Sequence, residues 1–160
     1  MTLMVRMVNK AKWNMSFDPA NADAITVCLK TKNNTLSFWT VESEKAVDEG
    51  VLAIASANQN LDSLDIVVID SGEFEAHEIK IIETDGKTAC ADLVKSHRDL
   101  AELDVRDLEA VSNVIAKKMR ENKVVRYNMS RIRDLIEDAI RAKRIDPEKL
   151  HEGIRKKLTI

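Results

Sequence analysis

Apolar and polar positions alternate over much of the first half of this chain. Leu3, Val5 and Met7 share one parity, and Ala11, Trp13, Met15 and Phe17 share it again after a polar break. A period of two predicts one long strand or two short ones before Asp18-Pro19 turns the chain. Ile25, Val27 and Leu29 repeat the alternation, Asn33-Asn34 tolerates a left-handed backbone, and residues 35–41 are rich in aromatic and β-branched types. Together they predict a β-hairpin over 24–41. The period then changes. Ala46, Val47, Val51, Ile54 and Ala55 fall on one helical stripe, with Ser43 as cap and Glu44 in the first turn. Gly50 within that stripe marks either close packing on a sheet or a tolerated defect.

Residues 64–70 form the most strand-like run, apolar on both parities from Ile66 to Ile69, as in a strand buried on two faces. Ser71-Gly72 reads as a turn, and residues 74–83 alternate through Ile79 and Ile81, so a second hairpin is predicted over 64–83. From Thr88 onward the pattern is helical. Leu93, His97, Leu100 and Ala101 make one stripe; Leu108, Val111, Ile115 and Met119 make a second, capped by Asp104. A break at 122–128 contains Val124-Val125, and Met129, Ile132, Ile136 and Ile140 make a third stripe. Asp146-Pro147 opens a last helix with Leu150, Ile154 and Leu158 on its seam. Strands and helices do not alternate as in a doubly wound sheet. The class read from this order is α+β, a mostly antiparallel sheet with packed helices. An α/β body over 1–104 is followed by a helical region over 105–160, as two units or one continuous domain.

Charge sharpens that division. The net charge of −2 is a sum of opposed parts: residues 1–104 carry −8 and residues 105–160 carry +6. The split has three readings. The basic region binds nucleic acid or an acidic partner, or it docks on the acidic half within the chain or across a dimer, or it is solvated. The candidate partner-binding residues are Lys117, Lys118, Arg120, Lys123, Arg126, Arg131 and Arg133, seven cations around the break between two helices. They suit phosphate contacts, but Tyr127 is the one aromatic among them, which leaves little for stacking on single strands.

The composition excludes several chemistries. Four isolated glycines build neither a P-loop nor a dinucleotide fingerprint. Three histidines and two cysteines lie too far apart for a zinc spacing, and no disulfide framework can be drawn. Cys90, near a predicted helix start, is the thiol with a mechanical case for reactivity; the plainer reading is a small packed residue. No apolar run reaches membrane-spanning length, and Arg6, Lys10 and Lys12 interrupt the N-terminal stretch, so a cytoplasmic protein with no membrane partner is expected.

One constellation carries chemistry. With Ser71-Gly72 at the turn, Asp65 falls opposite Glu78, and Lys80 shares the face of Glu78. Two carboxylates and a lysine on one sheet face suit a divalent metal, Asp65 and Glu78 being its ligands and Lys80 standing near an attacking water. The pattern resembles the PD-(D/E)xK nuclease motif over residues 43–103, which implies a Mg²⁺-dependent nuclease. The leading expectation is different: a small protein, without cofactor or catalysis, that binds another protein or a second copy of itself through the basic helices. A nucleic-acid-binding accessory protein is the third reading.

Overall fold

The computed structural model describes residues 2–13 and 21–160. The predicted positions Met15, Phe17 and Asp18-Pro19 lie outside the described residues. The six strands are β1 (Leu3–Val8), β2 (Leu36–Val41), β3 (Leu64–Asp70), β4 (Lys80–Glu83), β5 (His97–Ala101) and β6 (Val124–Tyr127). They form one sheet in the order β4-β5-β2-β1-β3-β6, and every neighbouring pair is antiparallel. The helices are α1 (Ala22–Cys28), α2 (Val47–Ala57), α3 (Ser71–Glu75), α4 (Val105–Arg120), α5 (Met129–Arg141) and α6 (Glu152–Arg155). The protein is therefore an α+β fold built on an antiparallel sheet.

Helices cover both faces of the sheet. On one, Leu3 and Val5 of β1, Val41 of β2 and Leu64 and Ile66 of β3 pack under α2, α5 and α6, through Val51, Ile136 and Ile154 among others. On the other, Met4 and Val8, Phe38, Val67 and Ile69 pack under α1, α3 and α4, through Cys28, Phe74 and Ile115. Two-sided cover is why β1 and β3 are apolar on both parities. Both cores draw on residues from before and after position 104. Gly50 is a close-packing residue: a Cβ there would lie 2.9 Å from Cβ of Val5, so α2 sits directly on β1.

Four elements differ from the sequence expectation. Residues 22–28 are a helix, so the 24–41 hairpin is reduced to a tight turn. Asn33 and Asn34 both adopt positive φ (53° and 56°), and Lys32 bridges Thr35. The alternation at Ile25, Val27 and Leu29 coincided with helical pairs, Ala24 with Cys28 and Ile25 with Leu29; Val27 is half exposed. Second, Ser71-Gly72 opens α3 instead of a hairpin turn, because the Asp70 carboxylate accepts the Gly72 N–H at 2.9 Å and caps a helix. Third, His97, Leu100 and Ala101 lie on β5, which fills the place between β2 and β4; pairing on both sides overrides a weak strand propensity. Fourth, Asp146 caps only a short 3-10 turn, and α6 starts later with His151 as its cap.

Candidate functional site

The three residues of the predicted metal site are not brought together. Asp65 lies on β3 and Lys80 on β4, with β1, β2 and β5 between them. Four strand spacings amount to about 19 Å, far beyond the reach of one metal ion. Asp65 instead pairs with Arg126 across the β3–β6 ladder at 3.1 Å and accepts the Lys10 backbone N–H at 3.2 Å. Glu78 sits in the left-handed region (φ 58°) after α3, exposed, and Lys80 is ion-paired with Glu102. The hairpin behind the nuclease resemblance is thus not formed. Among the described residues no group of three or more His, Cys, Asp or Glu is arranged to hold a metal ion.

The seven cations divide. Lys118 pairs with Glu73 at 2.6 Å, Arg126 with Asp65, and Arg131 with Asp48 at 2.9 Å, each bridging the basic region to the acidic one. Arg144 makes the strongest bridge of this kind, holding Glu49 of α2 with both terminal nitrogens and Asp92 through Nε at 2.9 Å. Lys123 pairs locally with Glu121. Lys117, Arg120 and Arg133 make no ion pair among the described residues. Much of the charge asymmetry is therefore neutralised inside the molecule.

Three of these cations rim a cleft of about 520 Å³ at the β6 side of the sheet. Its apolar floor is Leu3, Val47, Val68 and Val125, each from a different element, and Val125 is 47% exposed. The walls are the N-terminal turns of α2 and α5 and the connection from α4 to β6. Tyr127 closes one end. Its hydroxyl donates to Asp48 at 2.6 Å, and the Arg131 guanidinium lies 4.0 Å over its ring. Burial, and then the Asp48 hydrogen bond, push the phenol up to about 12, so it remains a donor. Asn128 accepts the Arg131 N–H at 2.8 Å, which starts α5 where Arg131 can reach both Tyr127 and Asp48. The rim also carries Glu44, Asp70 and Glu73. Once Lys118, Lys123 and Arg131 are matched with Glu73, Glu121 and Asp48, Glu44 and Asp70 remain without an ion pair.

Sequence reading found the cations of this site but not its floor, which exists only where β1, α2, β3 and β6 meet. The one local signal was Val124-Val125 inside a polar break. A larger cleft, about 760 Å³, lies between the end of β1 and α1, with Arg6, Cys28, Asp65 and Arg126 on its walls. Arg6 there serves the fold. Its guanidinium donates to the carbonyls of Ser37 and Cys28, and burial pushes it down to about 10, still charged at neutral pH. Cys90 is fully buried and its thiol donates to Asp92; burial, then that bond, push it up to about 12, which removes the thiolate a reactive cysteine needs. No helix among the described residues is long and apolar enough to cross a membrane. Compared with family models, curated proteins and solved structures, the chain matches none.

Proposed function

We propose that this is a cytoplasmic protein that works by holding a segment of a protein partner in the cleft beside β6, without catalysis of its own. The observation that carries this reading is the make-up of the cleft: a half-exposed apolar floor inside a rim whose cations are already matched by acids. Such a surface gains most from burying an apolar side chain, at roughly 1.5–3 kcal/mol for a valine- or leucine-sized group. A nucleic-acid backbone would meet Glu44 and Asp70 and compete with existing ion pairs for Lys118 and Arg131. The nuclease reading has no assembled site behind it, since Asp65, Glu78 and Lys80 lie on separate parts of the sheet and its loops.

The test is selection of a random peptide library displayed on phage against the full chain, followed by binding of the winners to Val125→Arg. Winners should lose about tenfold or more in affinity, the worth of one buried apolar side chain. The variant should unfold at the native temperature, because Val125 is half exposed. Failure to enrich any peptide, or winners indifferent to Val125→Arg, would overturn the reading.

A further inference from the structure

β6 is shorter than the strand it accompanies. It pairs with Leu64–Val67 and stops at Val67↔Val124, whereas β1 pairs with β3 from Asp65 to Asp70. In an antiparallel ladder successive residues direct their backbone groups to opposite sides. Ser71 donates its N–H to the Thr2 carbonyl, so odd-numbered residues of β3 face β1 and even-numbered ones face the β6 side. Val68 and Asp70 therefore direct their backbone groups toward a line that β6 does not reach. Continuing the ladder would place Lys123 opposite Val68, but the Lys123 N–H is turned back onto the Lys118 carbonyl. The Asp70 carbonyl is taken up as the cap of α3. What faces the gap is the N–H and C=O of Val68 and the N–H of Asp70.

Val68 and Asp70 both line the cleft described above. Resting on the protein-binding reading of that cleft, we infer that its occupant is an extended segment of the partner that continues the line of β6 and pairs by its main chain with Val68 and Asp70. One residue of that segment exchanges two hydrogen bonds with Val68, and the next carbonyl along accepts from Asp70. Its side chains alternate: those on the α2/α5 side enter the floor between Val47, Val68 and Val125, so they are apolar. The carboxylates left unpaired at the rim, Glu44 and Asp70, select a Lys or Arg flanking the apolar residue and disfavour an acidic segment. The occupant is thus a short β-forming, basic-flanked stretch of another protein.

The probe is a capped peptide of alternating valine and threonine with a lysine at each end, added to the isotopically labelled full chain. Amide hydrogen exchange and chemical shifts are the readouts. In the free protein the amides of Val68 and Asp70 should exchange faster than those of Val67 and Ile69, which bond to β1. The peptide should slow Val68 and Asp70 by about tenfold or more. The same peptide N-methylated at alternate amides should lose that effect, and one with glutamates in place of the lysines should bind more weakly. Shifts at Val47 and Val125 from native and methylated peptide alike, without protection of Val68 and Asp70, would overturn strand addition yet leave the cleft as a protein-binding site. No shift in the cleft at millimolar peptide, or full protection of Val68 in the free protein, would also overturn it. A concentration-dependent dimer that protects the same two amides would assign the gap to a second copy and overturn the partner segment.

Discussion

Two residues show how a single atom or proton can carry structural weight here. At Gly50, helix propensity alone favours alanine by about 1 kcal/mol. The Val5 side chain, 2.9 Å from where a Cβ would stand, reverses that preference. Gly50→Ala should destabilise the protein by roughly 1–3 kcal/mol in urea unfolding, as overpacking does. At His97 the proton matters. The Thr84 hydroxyl donates to Asp99 at 3.1 Å, so its lone pair meets His97 Nδ1 at 2.7 Å and the ring proton sits on Nδ1. The neutral ring packs edge-on against Trp39, and burial lowers its pKa below 6.5, with Asp99 opposing the shift and Arg98 aiding it. The unfolded chain therefore takes up this proton at a higher pH than the native protein does. The His97 contribution is complete above about pH 6.5 and declines as pH falls toward the lower native value. His97→Gln should flatten that part of the stability–pH curve; an unchanged slope would show that the loss arises elsewhere.

Among the elements, those with a stripe and a cap were legible and those defined by pairing were not. α4 and α5 follow their apolar stripes, and Asp104 forms a capping box with Asp107. α3 had a local signal that was passed over: Asp70-Ser-Gly-Glu73 places an acid three residues after a capping aspartate, the start pattern of a helix, beside a pair that also reads as a turn. α1 was obscured because seven residues hold too few turns to separate a period of 3.6 from one of two. β5 and β6 had no readable signal of their own, since His-Arg-Asp-Leu-Ala is a strand only because β2 and β4 lie on either side. The cap of α5 is open to a direct test. Asn128→Ala should cost about 1 kcal/mol and Asn128→Ser should recover most of it, measured by thermal unfolding. The alanine variant should also weaken peptide capture, because α5 carries Arg131 to the rim of the cleft.

Over the whole molecule the opposed charges of the two segments act as an internal fastening. Arg131 meets Asp48 and stacks on Tyr127, whereas Arg133 has no ion pair among the described residues. Arg131→Glu should therefore destabilise the protein more than Arg133→Glu, and the gap should narrow as salt is raised. Equal effects would mean that the fastening resides in Arg144 alone. Arg144→Met removes the link joining α2, Asp92 and the end of α5, and should cost on the order of 1–3 kcal/mol. That fastening also bears on function, because cations spent within the chain are not available to a polyanion. Purified protein incubated with DNA or RNA in Mg²⁺ should leave both intact; cleavage lost in Asp65→Ala would restore the nuclease reading.

By itself the sequence determined what is local: the α+β class, the strand at 64–70, the helices over 47–57, 105–120 and 129–141, and the charge division. Each rests on periodicity, capping or composition, which act within a few turns of chain. The tertiary structure decided the rest. Asp65 and Glu78 were parted because a capped helix took the place of a turn, and strand order then put β3 and β4 on opposite sides of the sheet centre. The cleft and the unpaired stretch of β3 exist because β6, distant in sequence, is only four residues long. Strand neighbours and their overlap are set by loop closure and two-sided burial across the whole chain, and no window of the sequence contains either.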